Sequence, residues 1–347
     1  LQQEGKVKDA VLAIKVLKFA IFDSSLLDPG TSSGYGRKEP LMGKNFALIG
    51  ASGYVAPRHM KAIQETGNHL VAVTDPSDSV GIIDRFGYQV SYFPEFERFE
   101  RHIERLNRGP EEDRVSYVSI CSPNYLHDSH IRFALRVGAD AICEKPLVLN
   151  PWNVDLLAEL EKETGRRIST ILQLRLHPEV RKLKSLIEGE KQNVKHTVTL
   201  DYLTPRGKWY AYSWKGDEKK SGGLATNIGI HLFDMLLWIF GSLKGYEVFQ
   251  KTEAKISGHL SLEKADVTWN LSIDPQDLPD PADETGGKAY RRIMVDDQRL
   301  DFSGGFTDLH TEAYKEILSG NGFGLDDVRP SIELVSKLRN VKPTGPI

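Results

Sequence analysis

Asn45-Phe46-Ala47-Leu48-Ile49, running directly into Gly50-Ala51-Ser52-Gly53-Tyr54-Val55-Ala56, is the stretch whose reading decides the fold. A short β-type run meets two glycines, and a helical pattern from Pro57 to Thr66 follows. Glycines in such a turn let the backbone approach a pyrophosphate at a helix N-terminus. The spacing is G-x-x-G-x-x-A rather than the commoner G-x-G-x-x-G, and a tight turn alone accounts for two glycines. Asp75 strengthens the ligand reading, because it ends a second strand about 25 residues on, where an acid binds the ribose hydroxyls of a dinucleotide. Its charge repels a 2′-phosphate and so favours NAD over NADP.

Outward from that turn, β-type runs alternate with helical ones, the signature of parallel βαβ units. The strands are expected at Asn45–Ile49, His69–Thr74, Gln89–Phe93, Tyr117–Ile120, Ala141–Cys143 and Ile168–Leu174, with helices at Pro57–Thr66, Tyr125–Val137 and Asn150–Thr164. Six strands suit a doubly wound Rossmann-type sheet. After Leu174 the texture changes to a helix, Pro178–Glu188, and long alternating runs, clearest at Val194–Tyr202, Tyr246–Lys255 and Asp266–Ile273. These predict a mostly antiparallel open sheet in a second α/β domain. Helices are expected at Thr226–Phe240, Asp308–Leu318 and Asp327–Arg339, and Pro275–Lys288 reads as an exposed loop. The domains follow as residues 42–174 and 175–347.

The chain has 347 residues, 40% hydrophobic and 27% charged, as expected of a globular protein of two domains. A net charge of −3 from 45 basic and 48 acidic residues gives no basis for a nucleic-acid partner. No uninterrupted apolar run approaches the roughly 18 to 20 residues of a membrane span. The two cysteines, Cys121 and Cys143, each end an apolar run, which suits buried thiols in a reducing, cytoplasmic compartment. Residues 1–41 carry an apolar segment, Ala10 to Phe22, interrupted by Lys15 and Lys18. No cleavage site follows it, so it reads as upstream sequence or a loosely docked helix, with the catalytic fold starting at Met42.

The chemistry sits at strand ends. Glu144-Lys145-Pro146 closes the fifth strand, and a lysine there is a usable proton donor or acceptor. The fourth strand ends in Ser122-Pro123-Asn124-Tyr125-Leu126-His127, where Asn124 has the character of a helix cap and His127 falls in the first turn, toward cofactor or solvent. In the second half Asn227, Gly229, His231 and Asp234 open a helix behind Ser221-Gly222-Gly223. His231 and Asp234 are three apart, which allows the acid to orient the imidazole. Arg175, just past the sixth strand, has the planar fork for a carboxylate or phosphate and equally the look of a surface arginine. Arg58 and His59 open the first helix, near cofactor, substrate or solvent. Lys215, Lys219 and Lys220 read as a solvated loop, with a diphosphate contact as the alternative. No cysteine cluster, HExxH or G-x-S-x-G is present, so neither a metal centre nor a serine nucleophile is expected.

Taken together, Gly50-x-x-Gly53, Asp75, Ser122-Pro123-Asn124 with His127, Glu144-Lys145-Pro146 and the Gly229-His231-Asp234 helix resemble the Gfo/Idh/MocA oxidoreductases, in order from about Asn45 to Arg339. That resemblance implies NAD(P)-dependent oxidation of sugars or polyols such as inositol, and an open sheet that often serves a homodimer or homotetramer. Some relatives on the same scaffold act as non-catalytic sensors. To the cofactor side it adds Ser52, Tyr54, Val55, Glu144 and Gln173. To the substrate side it assigns Lys145, Arg175, Asn227 and His231. Two departures narrow the choice: Asn227 stands where the family commonly has aspartate, and the glycine loop is one residue longer. With IGASGYVAPRHM (49–60), ILQLR (171–175) and GGFTDLH (304–310), they resemble the UDP-N-acetylglucosaminuronate (UDP-GlcNAcA) 3-dehydrogenases of bacterial surface-polysaccharide pathways, lipopolysaccharide among them. Such enzymes oxidise the sugar C3 hydroxyl, and some recycle NADH with 2-oxoglutarate. By resemblance Lys145 and His231 handle the proton, in an order the residues leave open.

Overall fold

A computed structural model describes residues 43–190, 194–279, 289–300 and 308–345. The expected extension 1–41 lies outside the described residues, as do most of the Pro275–Lys288 loop and the first half of GGFTDLH.

Six strands form the first sheet: β1 (Asn45–Ile49), β2 (His69–Thr74), β3 (Ser91–Phe93), β4 (Val115–Ile120), β5 (Asp140–Cys143) and β6 (Ile168–Thr170). Their order is β3-β2-β1-β4-β5-β6, and every neighbouring pair is parallel. This is the doubly wound order, whose direction reverses between β1 and β4. Helices α1 (Ala56–Glu65), α2 (Phe96–Arg108), α3 (His127–Arg136) and α4 (Pro151–Thr164) make the crossovers. Local chemistry sets their ends. Proline occupies the first turn of both α1 and α4, where no N–H is needed, and Gly165 closes α4 in the left-handed region at φ 65°.

The sixth strand is shorter than expected. It stops at Thr170, and Gln173–Leu176 forms a 3-10 turn that leads to α5 (Pro178–Glu188). The second sheet contains β7 (His196–Leu203), β8 (Leu243–Lys251), β9 (Lys255–Leu262), β10 (Ala265–Ser272), β11 (Tyr290–Val295) and β12 (Gln298–Arg299), ordered β12-β11-β7-β10-β9-β8. Only the β7–β10 pairing is parallel. Alternate residues of β7, β9 and β10 are buried, so one face packs on the core and the other does not. Helix α6 (Ile230–Phe240) covers the buried face, with Phe233 set edge-on to Trp269 at 5.1 Å between centroids. It belongs to the one stretch among the described residues long and apolar enough to cross a membrane, Glu218–Phe240, 78% of whose window is buried within the fold.

The last two helices, α7 (Leu309–Leu318) and α8 (Leu325–Asn340), lead the chain back. Leu309, Ala313, Tyr314 and Ile317 of α7 pack in one cluster with Phe46 of β1, Ile63 of α1 and Ile142 of β5. Residues late in the sequence thereby reach the ends of the parallel strands.

Arg175 has a different use from the expected ligand contact. It is 6% exposed, and its Nε and Nη2 donate to the two carboxylate oxygens of Asp234 at 2.9 and 2.8 Å. Nη2 also donates to the Asp327 carbonyl at 2.8 Å. The fork that suggested a substrate carboxylate thus holds α6 and α8 to the turn after β6. Burial raises the Asp234 pKa against the pull of Arg175. Removing one partner of such a pair leaves a buried group without its counter-charge, and costs about 3–5 kcal/mol. Arg175→Ala is therefore expected to lower the unfolding free energy from urea titration by that much. A loss under about 1 kcal/mol would contradict a structural role.

Candidate active site

The strand ends of the first sheet open onto a cleft of about 970 Å³, whose far wall is built by β7, β11 and the start of α6. Gly50 sits at φ +91°, and a Cβ there would stand 2.7 Å from the Cys121 carbonyl carbon, so only glycine passes beneath the end of β4. A Cβ on Gly53 would lie 3.1 Å from the Gly50 oxygen. The N-terminus of α1 opens on this loop with no side-chain cap, leaving its positive end toward the cleft beside Tyr54 and Val55.

Asp75 is buried at the end of β2. Its two oxygens accept N–H bonds from Ser52 at 3.0 Å and Ser77 at 2.9 Å. A carboxylate has about four lone-pair sites, so acceptor capacity remains for hydroxyls. Gln173 presents the cleft with a buried Oε1 that has no donor partner. A glycine cradle, an uncapped helix end, a partly used carboxylate and an orphaned acceptor on one wall fit a dinucleotide.

Ser122 and Pro123 line the same wall, and the Ser122 hydroxyl is 2.8 Å from His130 Nδ1. His127 differs from its expected role. Its Nδ1 faces the Pro146 carbonyl at 2.7 Å and its Nε2 the Ser122 carbonyl at 2.8 Å, so the ring braces the loop after β4 to the loop after β5. Both nitrogens are used within the protein. His59 also turns inward, onto Tyr314 and Glu144, whereas Arg58 lines the cleft over the Tyr54 ring.

Lys145 leaves the end of β5 with Nζ 3.3 Å from the main-chain carbonyl of Asn227. Asn227 lies in a π-helical turn, Ala225–Gly229, a distortion that recurs at functional sites. Its side chain is already engaged: Nδ2 donates to the Tyr210 hydroxyl at 2.8 Å, and Oδ1 accepts from Asn124 Nδ2 at 3.2 Å. Asn124 donates as well to the Ser221 carbonyl at 2.9 Å. It does not cap the helix that follows; it joins the loop after β4 to the turn before α6. The expected Asn227 contact with a sugar hydroxyl gives way to this support of Lys145 and Asn124.

His231 stands beside Lys145 in the cleft wall, edge-on to Tyr202 at 5.9 Å between centroids. The expected dyad with Asp234 does not form, because the carboxylate is bound to Arg175 and His231 Nδ1 is buried without a partner. Three residues along an α-helix leave an offset of about 60°, enough to send the acid into the core while the imidazole faces the cleft. Burial, then the charges of Lys145 and Arg291, hold the His231 pKa well below 6.5. These effects favour the neutral ring.

The second sheet adds two groups, Tyr202 and Arg291, that the sequence did not single out. Tyr202 of β7 and Arg291 of β11 are register partners, and Arg291 donates to the Tyr202 hydroxyl at 3.4 Å. Burial pushes this phenol up, but Arg291, Thr204 and Lys145 outweigh it and bring its pKa below the ordinary value. Arg206 and Lys215 line the same end, and neither has a carboxylate partner among the described residues. Lys215 lies 4.4 Å from the Trp214 ring centroid; desolvation, then Arg206 and Lys145, lower its pKa. Lys219 and Lys220 are exposed, but in the short helix Glu218–Ser221 rather than in the expected loop. No local motif announces Tyr202 or Arg291, since their meeting depends on the β7–β11 pairing.

Known proteins agree with this geometry. The Gfo/Idh/MocA oxidoreductase profile for the NAD-binding Rossmann fold matches residues 44–171, and the profile for the C-terminal alpha/beta domain matches residues 184–261. The chain is similar to the WlbA (WbpB) dehydrogenase of Thermus thermophilus, solved with NAD and alpha-ketoglutarate, at 50% identity and a TM-score of 0.83, covering 88% of this chain and 97% of that one. A second structure of that protein, with NAD and UDP-GlcNAcA, gives 49% identity and the same TM-score of 0.83. Among curated relatives, inositol 2-dehydrogenase of Rhizobium meliloti is 26% identical over 199 residues, 56% of this chain and 54% of that protein. Glucose-6-phosphate 3-dehydrogenase of Bacillus subtilis is 27% identical over 261 residues, 73% and 66% of the two. The matched stretch thus spans about half the length of the inositol 2-dehydrogenase. The chain belongs to the Gfo/Idh/MocA oxidoreductase family, with an NAD-binding Rossmann domain.

Proposed function

We propose that this protein oxidises the C3 hydroxyl of UDP-GlcNAcA to the 3-keto sugar with NAD. The observation that carries the substrate is the charge of the cleft's second end. Lys145, Arg206 and Lys215 face it, with Asp201 as the acid on the same strand wall. A diphosphate and a uronate carboxylate match that excess, whereas a neutral polyol such as inositol gives the cations nothing to neutralise. The T. thermophilus relative crystallised with UDP-GlcNAcA supports the same choice. A sensor without catalysis has no need of Lys145 and His231 on one cleft wall.

Bound NAD supplies the hydride acceptor. Asp75 and the uncapped α1 end hold its ribose and phosphates. Lys145 binds the C3 oxygen and stabilises the alkoxide that develops there. His231, neutral and desolvated, accepts the hydroxyl proton, with Tyr202 packed against its ring. Arg206 and Lys215 hold the anionic parts of the substrate. Asn227 and Asn124 keep the helix turn and the strand loop in register rather than touching the sugar. The division at residues 174 and 175, recycling of NADH with 2-oxoglutarate, a cytoplasmic homo-oligomer and a place in surface-polysaccharide synthesis belong to the same proposal.

NADH absorbance tests it. UDP-GlcNAcA should yield NADH, and with 2-oxoglutarate present, which takes the hydride back from NADH, 2-hydroxyglutarate should build up over multiple turnovers in its place, while UDP-GlcNAc, which lacks the carboxylate, and myo-inositol should give little of either. Turnover of myo-inositol with none of UDP-GlcNAcA would transfer the activity to a polyol. Lys145→Ala should lower kcat by about 10²-fold or more, and retention of most turnover would remove Lys145 from its role. Because the base must be neutral and its pKa lies well below 6.5, kcat should stay level as the pH is lowered through 6.5. An acid limb centred at 6.5 or above would contradict the assignment of His231.

A further inference from the structure

Glu144 is 7% exposed, and a buried carboxylate is costly unless donors surround it. Its Oε1 is met by two imidazoles, His59 Nε2 and His310 Nε2, each at 3.0 Å. Its Oε2 accepts the backbone N–H of Lys145 at 3.2 Å. Burial alone raises the Glu144 pKa, yet the bonds from His310 and His59 outweigh it and hold the carboxyl well below its usual range. An ionised carboxylate only accepts, so both imidazoles carry their proton on Nε2. His59 Nδ1 is then a lone pair, and the Tyr314 hydroxyl, 2.8 Å away, donates to it. The Tyr314 oxygen accepts in turn from Ser119 at 2.6 Å. One direction runs through the chain: Ser119 to Tyr314, to His59, to Glu144. Burial keeps His59 neutral, as this direction requires.

We propose that His59, His310 and Tyr314 are positioning residues, which fix the Glu144 carboxylate and through it the backbone from which Lys145 reaches the substrate. His59 comes from α1, Ser119 from β4 and Glu144 from the end of β5. His310 and Tyr314 come from α7, and His310 lies 166 residues beyond Glu144 in the sequence. The helix that follows the second sheet thus completes the first domain's half of the active site. The Lys145 amide is tied to a carboxylate that cannot turn without breaking two imidazole bonds, while Lys145 Nζ is held 3.3 Å from the Asn227 carbonyl. Small displacements of a reacting group are expensive in rate; about 1 Å costs roughly 10²-fold.

A bound cation is the competing use of the same groups, whose ligand atoms lie within 4.8 Å of one another. The hydrogen-bond directions speak against it, since each Nε2 carries a proton and offers no lone pair.

The kinetic test rests on the UDP-GlcNAcA reading. His310→Leu should lower kcat by about 10- to 100-fold with KM for NAD and sugar within about threefold, whereas His310→Gln, whose amide places an N–H near the lost Nε2, should recover most of kcat. Tyr314→Phe keeps the ring and should show the intermediate loss. Full activity in a folded His310→Leu protein, or equal loss in the leucine and glutamine variants, would overturn the proposal. A second readout needs no substrate: ¹⁵N NMR of labelled histidines should show a proton on Nε2 of both His59 and His310, with His59 as the neutral Nε2–H tautomer at neutral pH. An imidazolium at His59, or stoichiometric zinc in the purified protein, would overturn it even where UDP-GlcNAcA proves not to be the substrate.

Discussion

Asn227 is the point on which both halves of the cleft depend. Its carbonyl receives Lys145, its side-chain oxygen receives Asn124, and its amide donates to Tyr210. Two loops from the parallel sheet and one segment beyond β7 therefore converge on a single residue in a π-helical turn. An aspartate here would place another negative charge beside Lys145 and below His231. Asparagine adds no charge beside Lys145, whose other charged neighbour from the β5 end is the enclosed Glu144.

The cleft has two electrostatic ends. At the β2 end a single carboxylate, Asp75, faces the glycine loop and the positive end of α1. At the second-sheet end Lys145, Arg206 and Lys215 face inward, and burial, then the charges of Arg206 and Lys145, depress the Lys215 pKa. A cleft loaded with one sign of charge is destabilised until a ligand of opposite sign arrives, so ligand charge and site charge select one another. His231 lies where these fields meet, and burial with the neighbouring cations favours its unprotonated ring.

The parallel half was legible because its information is local. Each strand ends in its own turn signal, and Gly50, Asp75, Ser122 and Lys145 all follow strand ends that hydrophobic runs disclose. The second half was read less well. The run Tyr246–Lys255 conceals a turn, and β8 ends at Lys251 while β9 begins at Lys255. Arg175, Asp234 and His127 have the side chains of ligand contacts, but their partners lie far along the chain or in backbone carbonyls, which no spacing rule reveals. Tyr202 and Arg291 escaped notice for the same reason, since strand register brings them together.

The central claim is that Lys145 and His231 act on the C3 hydroxyl of an anionic nucleotide sugar. Single-turnover reaction of NAD-loaded protein with UDP-GlcNAcA deuterated at C3, followed by mass spectrometry of the cofactor, tests it most directly. The account predicts one deuterium in the reduced cofactor and a slowed hydride step relative to unlabelled sugar. Reduced cofactor without deuterium would place the oxidation at another carbon, and the absence of any reduced cofactor would contradict the account altogether.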